Sequence, residues 1–491
     1  MKPIIKLFLL VVGVAKLSAA DIKDYYELET VPLPKALEKP NANATQVDGL
    51  DFFPDGRLVA CFVGGQVYTL RPETGKWTLF AEGLHSPLGI VVLNDREIVV
   101  CQRPEVTKIR DVDGDGVADE FEVLSDNFGI SGNYHEFNFG PVRDGEGNFY
   151  ISLGTASSGA GVRHEKRGPF NSLSYMDRMY ACVPYRGWVL KITPEGKTIP
   201  WASGFRTPNG LGFDLEGNLF VTDNQGDWVG TSKMHHVQQG KFYGHAASLL
   251  WRDDWKGRPL NRPLPELDAL RTPAAVLFPH GLMSNSPTQP LADSTGGKFG
   301  PFAGQLLVGE MNRGRIMRVA LERVGGVLQG MCVPFFDGSG LKRGNNRMCF
   351  GPDHSLWIGH SNHGWAGERG LQRLRWTGRT PFELKTMHLT GKGFELTFTL
   401  PMDSKTATDP ANYAFKRYFY SYHKGYGSPQ REVQAVKVAS ATMKGESTVS
   451  LELDGLEPGR VYELKLGSAL RAKGGESLVN TLTFYNAVQL K

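Results

Sequence analysis

Two short polar runs, Arg206-Thr-Pro-Asn209-Gly and Asp223-Asn224-Gln225-Gly226-Asp227, bracket an apolar hairpin pattern within residues 204–243. A guanidinium set among amides and carboxylates can bind a polar ligand and stabilise charge that builds on an oxygen during a reaction. His135, in Ser131-Gly-Asn-Tyr-His-Glu-Phe137, takes the corresponding place before another hairpin. A neutral imidazole there can accept a hydroxyl proton near neutral pH. His245, His280 and His363 also fall in connections beside hairpins, and imidazoles converging on one channel would equally suit a transition metal.

A third cluster is Asp111-Val-Asp-Gly-Asp-Gly-Val-Ala-Asp-Glu-Phe-Glu122. Its carboxylates follow the spacing of an EF-hand calcium loop, with Gly116 at the sharp turn. Asp111, Asp113, Asp115, the Val117 carbonyl, Asp119 and Glu122 are the ligands this spacing predicts for calcium, a hard cation that prefers oxygen. No helical pair flanks the loop, so its expected role is to pin a connection between strands.

These residues need a frame, and the repeats supply it. Residues 204–243 hold two apolar stretches around a turn at Glu216-Gly217-Asn218, with Leu211, Phe213, Leu219 and Val221 alternating. The pattern returns at residues 47–70, 137–153 and 346–358, and more weakly at 87–101 and 302–319. Six strand–turn–strand units at intervals of roughly 40 to 90 residues are on the scale of propeller blades. An all-β fold is therefore expected: a six-bladed β-propeller over residues 21–384, its connections converging at the mouth of a central channel. A long Gly-, Ser- and Arg-containing insertion, residues 154–186, is placed to wall that mouth. Residues 21–46 read as an extended lead-in on the propeller surface.

From about Lys385 the character changes to short strands of period two, as in Phe394–Leu400 and Val449–Leu453. Residues 385–491 are expected to form a small β-sandwich, a second domain separable from the first. A Tyr-, Arg- and Lys-rich loop, residues 416–430, is a candidate glycan-binding surface there, with plain solvated surface as the alternative. At the other end, Lys2 and Lys6 precede an apolar run and the small residues Ser18-Ala19-Ala20. Residues 1–20 thus read as a signal peptide, and the protein is expected to be exported, periplasmic or extracellular, with no membrane span. A net charge of +4 on 491 residues gives no case for nucleic acid. Five cysteines without a CxxC pair favour buried thiols, and exclude an attached c-type haem.

The propeller resembles the soluble pyrroloquinoline-quinone-dependent glucose and sorbosone dehydrogenases. The resemblance rests on Gly204-Phe-Arg-Thr-Pro-Asn-Gly-Leu211, Asp223–Asp227, Gly240-Lys-Phe-Tyr-Gly244, His135 before Phe139-Gly-Pro, and Leu306–Val319. It implies a quinone held over Asn224, Gln225, Gly226 and Asp227 with calcium, contacts from Arg206, Asn209 and Arg347, and His135 as the base. It also implies a small carbohydrate or aldehyde as substrate and an external electron acceptor. The chain departs from the family pattern at Asn312 in place of a lysine, at Asn345-Asn-Arg347 in place of Arg-x-Arg, and at Tyr134 in place of an aspartate. The C-terminal sandwich resembles immunoglobulin-like modules of exported bacterial proteins. Three functions stay open at this point: a quinone-dependent sugar dehydrogenase, a metal-dependent carbohydrate lyase or hydrolase, and a non-catalytic carbohydrate-binding propeller.

Overall fold

The structure, a computed structural model, describes residues 20–37, 42–159, 166–175, 178–363 and 365–491. The signal peptide expected at residues 1–20 lies, apart from residue 20, outside the described residues. No helix among them is long and apolar enough to cross a membrane.

Six antiparallel sheets are arranged radially around a channel. Their innermost strands are Val47–Phe52, Ile90–Asn94, Asn138–Arg143, Gly210–Phe213, Pro287–Ala292 and Asn345–Phe350, which number blades 1 to 6. Each innermost strand touches the next, and the sixth touches the first, so the ring closes. Close approach depends on missing side chains: a Cβ on Gly89 would collide with the Gly140 carbonyl, and one on Gly212 with that of Pro290. The fold is a six-bladed β-propeller followed by a small β-sandwich.

Two features differ from the expectation. The lead-in is extended and partly exposed, as expected, but it is also part of a blade. Tyr26–Val31 pairs antiparallel with Gly370–Trp376 and supplies the outer strand of blade 6, tying the N-terminal segment to the last blade. In blade 5 the apolar pair 302–319 is not the inner hairpin; the innermost strand is Pro287–Ala292, whose two prolines and polar residues hide it from a hydrophobic pattern.

The sandwich grows directly out of blade 5. Its outer strand Val327–Asp337 pairs with Leu482–Ala487, Met331 opposite Tyr485, and the sheet continues to eight strands. A second sheet of four strands, Leu384–Leu389, Gly393–Phe398, Thr448–Leu453 and Val438–Gly445, packs across it. Their shared core contains Phe394, Leu451 and Tyr485 together with Val324, Met331 and Val333 of blade 5. The five cysteines are free and buried.

Candidate functional site

Connections from several blades meet over a cavity of about 310 Å³ at one end of the channel. That is the lower end of the range for small-molecule sites. Its lining includes His135 and Phe137 before blade 3, Arg206 and Asn209 before blade 4, Asn224 and Gln225 after the first hairpin of blade 4, and Asn312, His280 and His363. The insertion 154–186 contributes Ser157, Arg178 and Met179.

His135 is anchored through Nδ1, 2.8 Å from the Thr155 carbonyl oxygen, which fixes Nδ1 as the protonated nitrogen. Nε2 has no protein partner among the described residues, and its lone pair is left to the cavity. Burial, and then the nearby Arg206 charge, pull the imidazole down to about 4. It is neutral at physiological pH.

Arg206 is held from behind. Its Nε donates to Asp227 Oδ1 at 3.1 Å and its Nη1 to Thr207 Oγ1, while Asp227 Oδ2 lies 3.0 Å from His245 Nε2. Burial alone would raise the Asp227 carboxyl, but His245 and Arg206 outweigh it and hold the group at about 2. Gly226 makes room for this, because a Cβ there would collide with Cδ of Arg206. Asp223 accepts the backbone N–H groups of Arg206 and Thr207, fixing the turn that presents the guanidinium.

Arg347 is placed differently from the expectation. It is buried and donates to the Leu88 carbonyl, the Asn346 carbonyl and Asn209 Oδ1. It staples blades 6 and 2 to Asn209 and lines no part of the cavity. Asn345 is likewise buried, its amide donating to the Arg315 carbonyl at 3.0 Å. Of the four histidines, His135, His280 and His363 line the cavity, whereas His245 sits behind Arg206 on Asp227. Among the described residues the one group of three with ligand atoms within 4.8 Å of one another is Asp111, Asp113 and Asp115, so the imidazoles do not form such a group.

That aspartate group sits at the outer hairpin of blade 2, between strands Val106–Arg110 and Glu120–Ser125. Asp111 accepts from the backbone N–H groups of Gly114 and Gly116, and Asp119 from that of Val112, which turns the chain tightly around the carboxylates. Gly116 has φ +94 and nothing near its Cβ direction, so backbone conformation alone demands glycine. Glu122 does not join the cluster. Its carboxylate is drawn into the strand by Arg110 Nη2 at 2.7 Å. The loop therefore gathers three of its predicted ligands and parts from the EF-hand arrangement at the last.

The calcium implied at Asn224–Asp227 meets a different obstacle. Lys233, 1 % exposed, places Nζ 2.7 Å from the Asn224 carbonyl oxygen and 3.6 Å from Asp223 Oδ2. Burial lowers its pKa and Asp223 opposes the shift. The Gly226 carbonyl accepts from the Gly427 N–H, and both Asp227 oxygens are taken. The Asn224 and Gly226 carbonyls and the Asp227 carboxylate are thus already bonded, with a buried ammonium beside them, and these groups do not fit calcium.

The quinone fares no better. It carries several carboxylates, but Arg206 is paired with Asp227, Arg347 donates to other groups, and Asn312 stands in the wall, which leaves Arg178 as the lining cation without a carboxylate partner among the described residues. The unpaired groups of the wall tell of another ligand. Asn224 Oδ1 and Asn312 Oδ1 are buried without a partner, and His135 Nε2 is an acceptor. These groups call for O–H donors, and a hydroxyl serves an amide in either orientation, donating or accepting. Hydroxyl groups can meet such a wall, donating to the amide oxygens and accepting from Arg178.

Sequence reasoning missed Arg178, Lys233, Trp365 and Tyr426. Lys233 stands in a strand, Ser232–His236, where nothing in its neighbours marks it as buried. Tyr426 carries a faint signal, since it falls in the candidate glycan surface at 416–430.

A domain of unknown function (DUF7133) matches residues 73–254. Among curated proteins none matches. Of the solved structures, the chain is similar to the putative oxidoreductase (glucose dehydrogenase) of Thermus thermophilus, with 18% identity, TM-score 0.50, and coverage of 71% of this chain and 99% of that one. It is also similar to the PQQ-bound aldose sugar dehydrogenase of Streptomyces coelicolor, with 15% identity, TM-score 0.45 and coverage of 71% and 98%. A third is the PQQ domain of pyranose dehydrogenase from Coprinopsis cinerea, with 13% identity, TM-score 0.46 and coverage of 71% and 95%. At such identities the likeness is one of fold.

Proposed function

We propose that this protein is a carbohydrate-acting propeller of the sugar-oxidoreductase type, binding a small neutral sugar or aldehyde in the channel-mouth cavity. The observation that carries the reading is His135: neutral, tied through Nδ1 to Thr155, and offering Nε2 to a cavity whose lining also holds the unpaired amide oxygens of Asn224 and Asn312. The sugar dehydrogenases that share the fold motivate the reaction class.

In the first step a substrate hydroxyl passes its proton to Nε2. As negative charge develops on the substrate oxygen, it stabilises the imidazolium, and the Thr155 carbonyl holds the remaining N–H. Arg206, with Asp227 and His245 fixing its direction, faces the same oxygen and lowers the cost of that charge. The buried Lys233 orders the Asn224 carbonyl that shapes the adjoining wall. Oxidation also requires an electron acceptor. The described residues do not fit a calcium-bound pyrroloquinoline quinone, so the two electrons that leave the substrate carbon must pass to an external acceptor.

In the same reading the Asp111–Asp119 turn holds calcium for structural purposes, and the protein works in an exported compartment where that ion is plentiful.

The test pairs calorimetry with dye-linked oxidation over a panel of neutral sugars and aldehydes, each with and without quinone and calcium. At least one sugar is expected to bind without metal. His135→Gln should leave that binding within a few-fold and lower turnover by on the order of a hundredfold to ten-thousandfold. No sugar binding at all would overturn the reading. Binding without oxidation by any acceptor would leave a carbohydrate-binding propeller.

A further inference from the structure

The strand Asp227–Val229, which carries the anchor of Arg206, belongs to no blade. Its pairing partner is Tyr422–Tyr426 of the C-terminal sandwich, with Asp227 opposite Tyr426 and Val229 opposite Tyr422. Three further bonds close this clasp: the Gly427 N–H to the Gly226 carbonyl at 2.9 Å, the Ser428 N–H to the Gly230 carbonyl at 3.0 Å, and Tyr422 Oη to the Gly244 carbonyl at 2.6 Å. Tyr422 also packs beside Trp228, which is buried at φ +75.

The clasp brings Tyr426 into the cavity wall. Its ring lies 4.1 Å from the Arg178 guanidinium and 5.6 Å from that of Arg206, within range of cation–π attraction to both. It nevertheless stays 48 % exposed. Two other rings lining the same cavity are exposed as well, Tyr134 at 51 % and Trp365 at 75 %. Large aromatics left in water around one mouth mark a surface that a ligand covers. A sugar ring suits it: its C–H face lies against an aromatic plane while its hydroxyls reach the acceptors below.

We propose that the C-terminal sandwich completes the propeller's site, Tyr426 contacting the bound sugar and orienting Arg178. The inference rests on the carbohydrate reading given above. It assigns to the sandwich a part in recognition, and it makes the substrate a ring with one apolar face, not an open-chain polyol.

The experiment compares the full-length protein with Tyr426→Ala and Tyr426→Phe. Tyr426 is half exposed, so neither change should disturb folding, which thermal melting checks. For the best-binding cyclic sugar, Tyr426→Ala should weaken binding about threefold to tenfold, the size of one aromatic stacking contact, and raise KM by a similar factor. Tyr426→Phe keeps the ring and should restore both. An unchanged melting temperature with a raised KM in Tyr426→Ala, reversed in Tyr426→Phe, separates a lost contact from lost stability. Wild-type sugar binding with Tyr426→Ala equal to it within twofold refutes this inference alone. A wild type that binds no sugar removes the carbohydrate reading and this inference with it.

Discussion

The protonation state of His135 offers the sharpest test of the site. Burial and the neighbouring Arg206 hold the imidazole at about 4, in place of the ordinary value of about 6.5. A base must be unprotonated to act. With a midpoint at about 4, about nine-tenths of the molecules are ready at pH 5; with an ordinary midpoint, about 3% would be. The ratio of kcat/KM at pH 5 to that at pH 7.5 should therefore be about 0.9, roughly thirtyfold above that of an unperturbed histidine. Arg206→Gln removes the second cause and leaves the first. The midpoint should rise, and the same ratio should fall, whatever the variant loses in absolute rate. A parallel NMR titration, with the His135 signal assigned by its absence in His135→Gln, reads the midpoint without turnover. Circular dichroism at pH 5 confirms that the protein stays folded. A wild-type midpoint near 6.5, or one indifferent to Arg206→Gln, would refute the electrostatic account and with it the poised base.

Other parts of the molecule can be tested as directly. Lys233→Met leaves Asp223 buried without its cation and should cost about 3 to 5 kcal/mol in denaturant unfolding, part of which the double variant with Asp223→Asn recovers; equal stability of single variant and wild type would show that the ammonium is not needed. Because Lys233 holds the Asn224 carbonyl and Arg206 and His245 hold the Asp227 carboxylate, chelators should leave sugar affinity unchanged, and a chelator-sensitive affinity would restore calcium to the site. Calcium should raise the melting temperature of the wild type and not that of Asp111→Ala/Asp113→Ala; a wild type indifferent to calcium would count against the blade 2 site. Truncation after residue 384 uncovers the edge Val327–Asp337 and the apolar Met331 and Val333, so the shortened chain should aggregate, and a soluble monomeric propeller from that truncation would show the two parts to be separable.

The blades were legible because their information is local. An apolar alternation broken by a turn such as Glu216-Gly217-Asn218 is complete within about fifteen residues, and five of the six inner hairpins follow it. Pro287–Ala292 escaped because its burial comes from the neighbouring inner strands of blades 4 and 6, not from an apolar sequence of its own. Tyr26–Val31 escaped for a related reason: its pairing partner lies about 340 residues away, and no local pattern records that meeting.

The site divides the same way. That His135 and Arg206 stand beside hairpins follows from the local sequence, and the structure brings both to the lining of one cavity. What those groups can do was decided in three dimensions. The Thr155 carbonyl selects which imidazole nitrogen is free, Lys233 holds the Asn224 carbonyl, Arg347 donates to the Leu88 carbonyl outside the cavity lining, and a strand about two hundred residues away brings Tyr426 to the mouth. Each depends on contacts that the local sequence does not record, held by packing and hydrogen bonds that exist only once the ring of blades has closed.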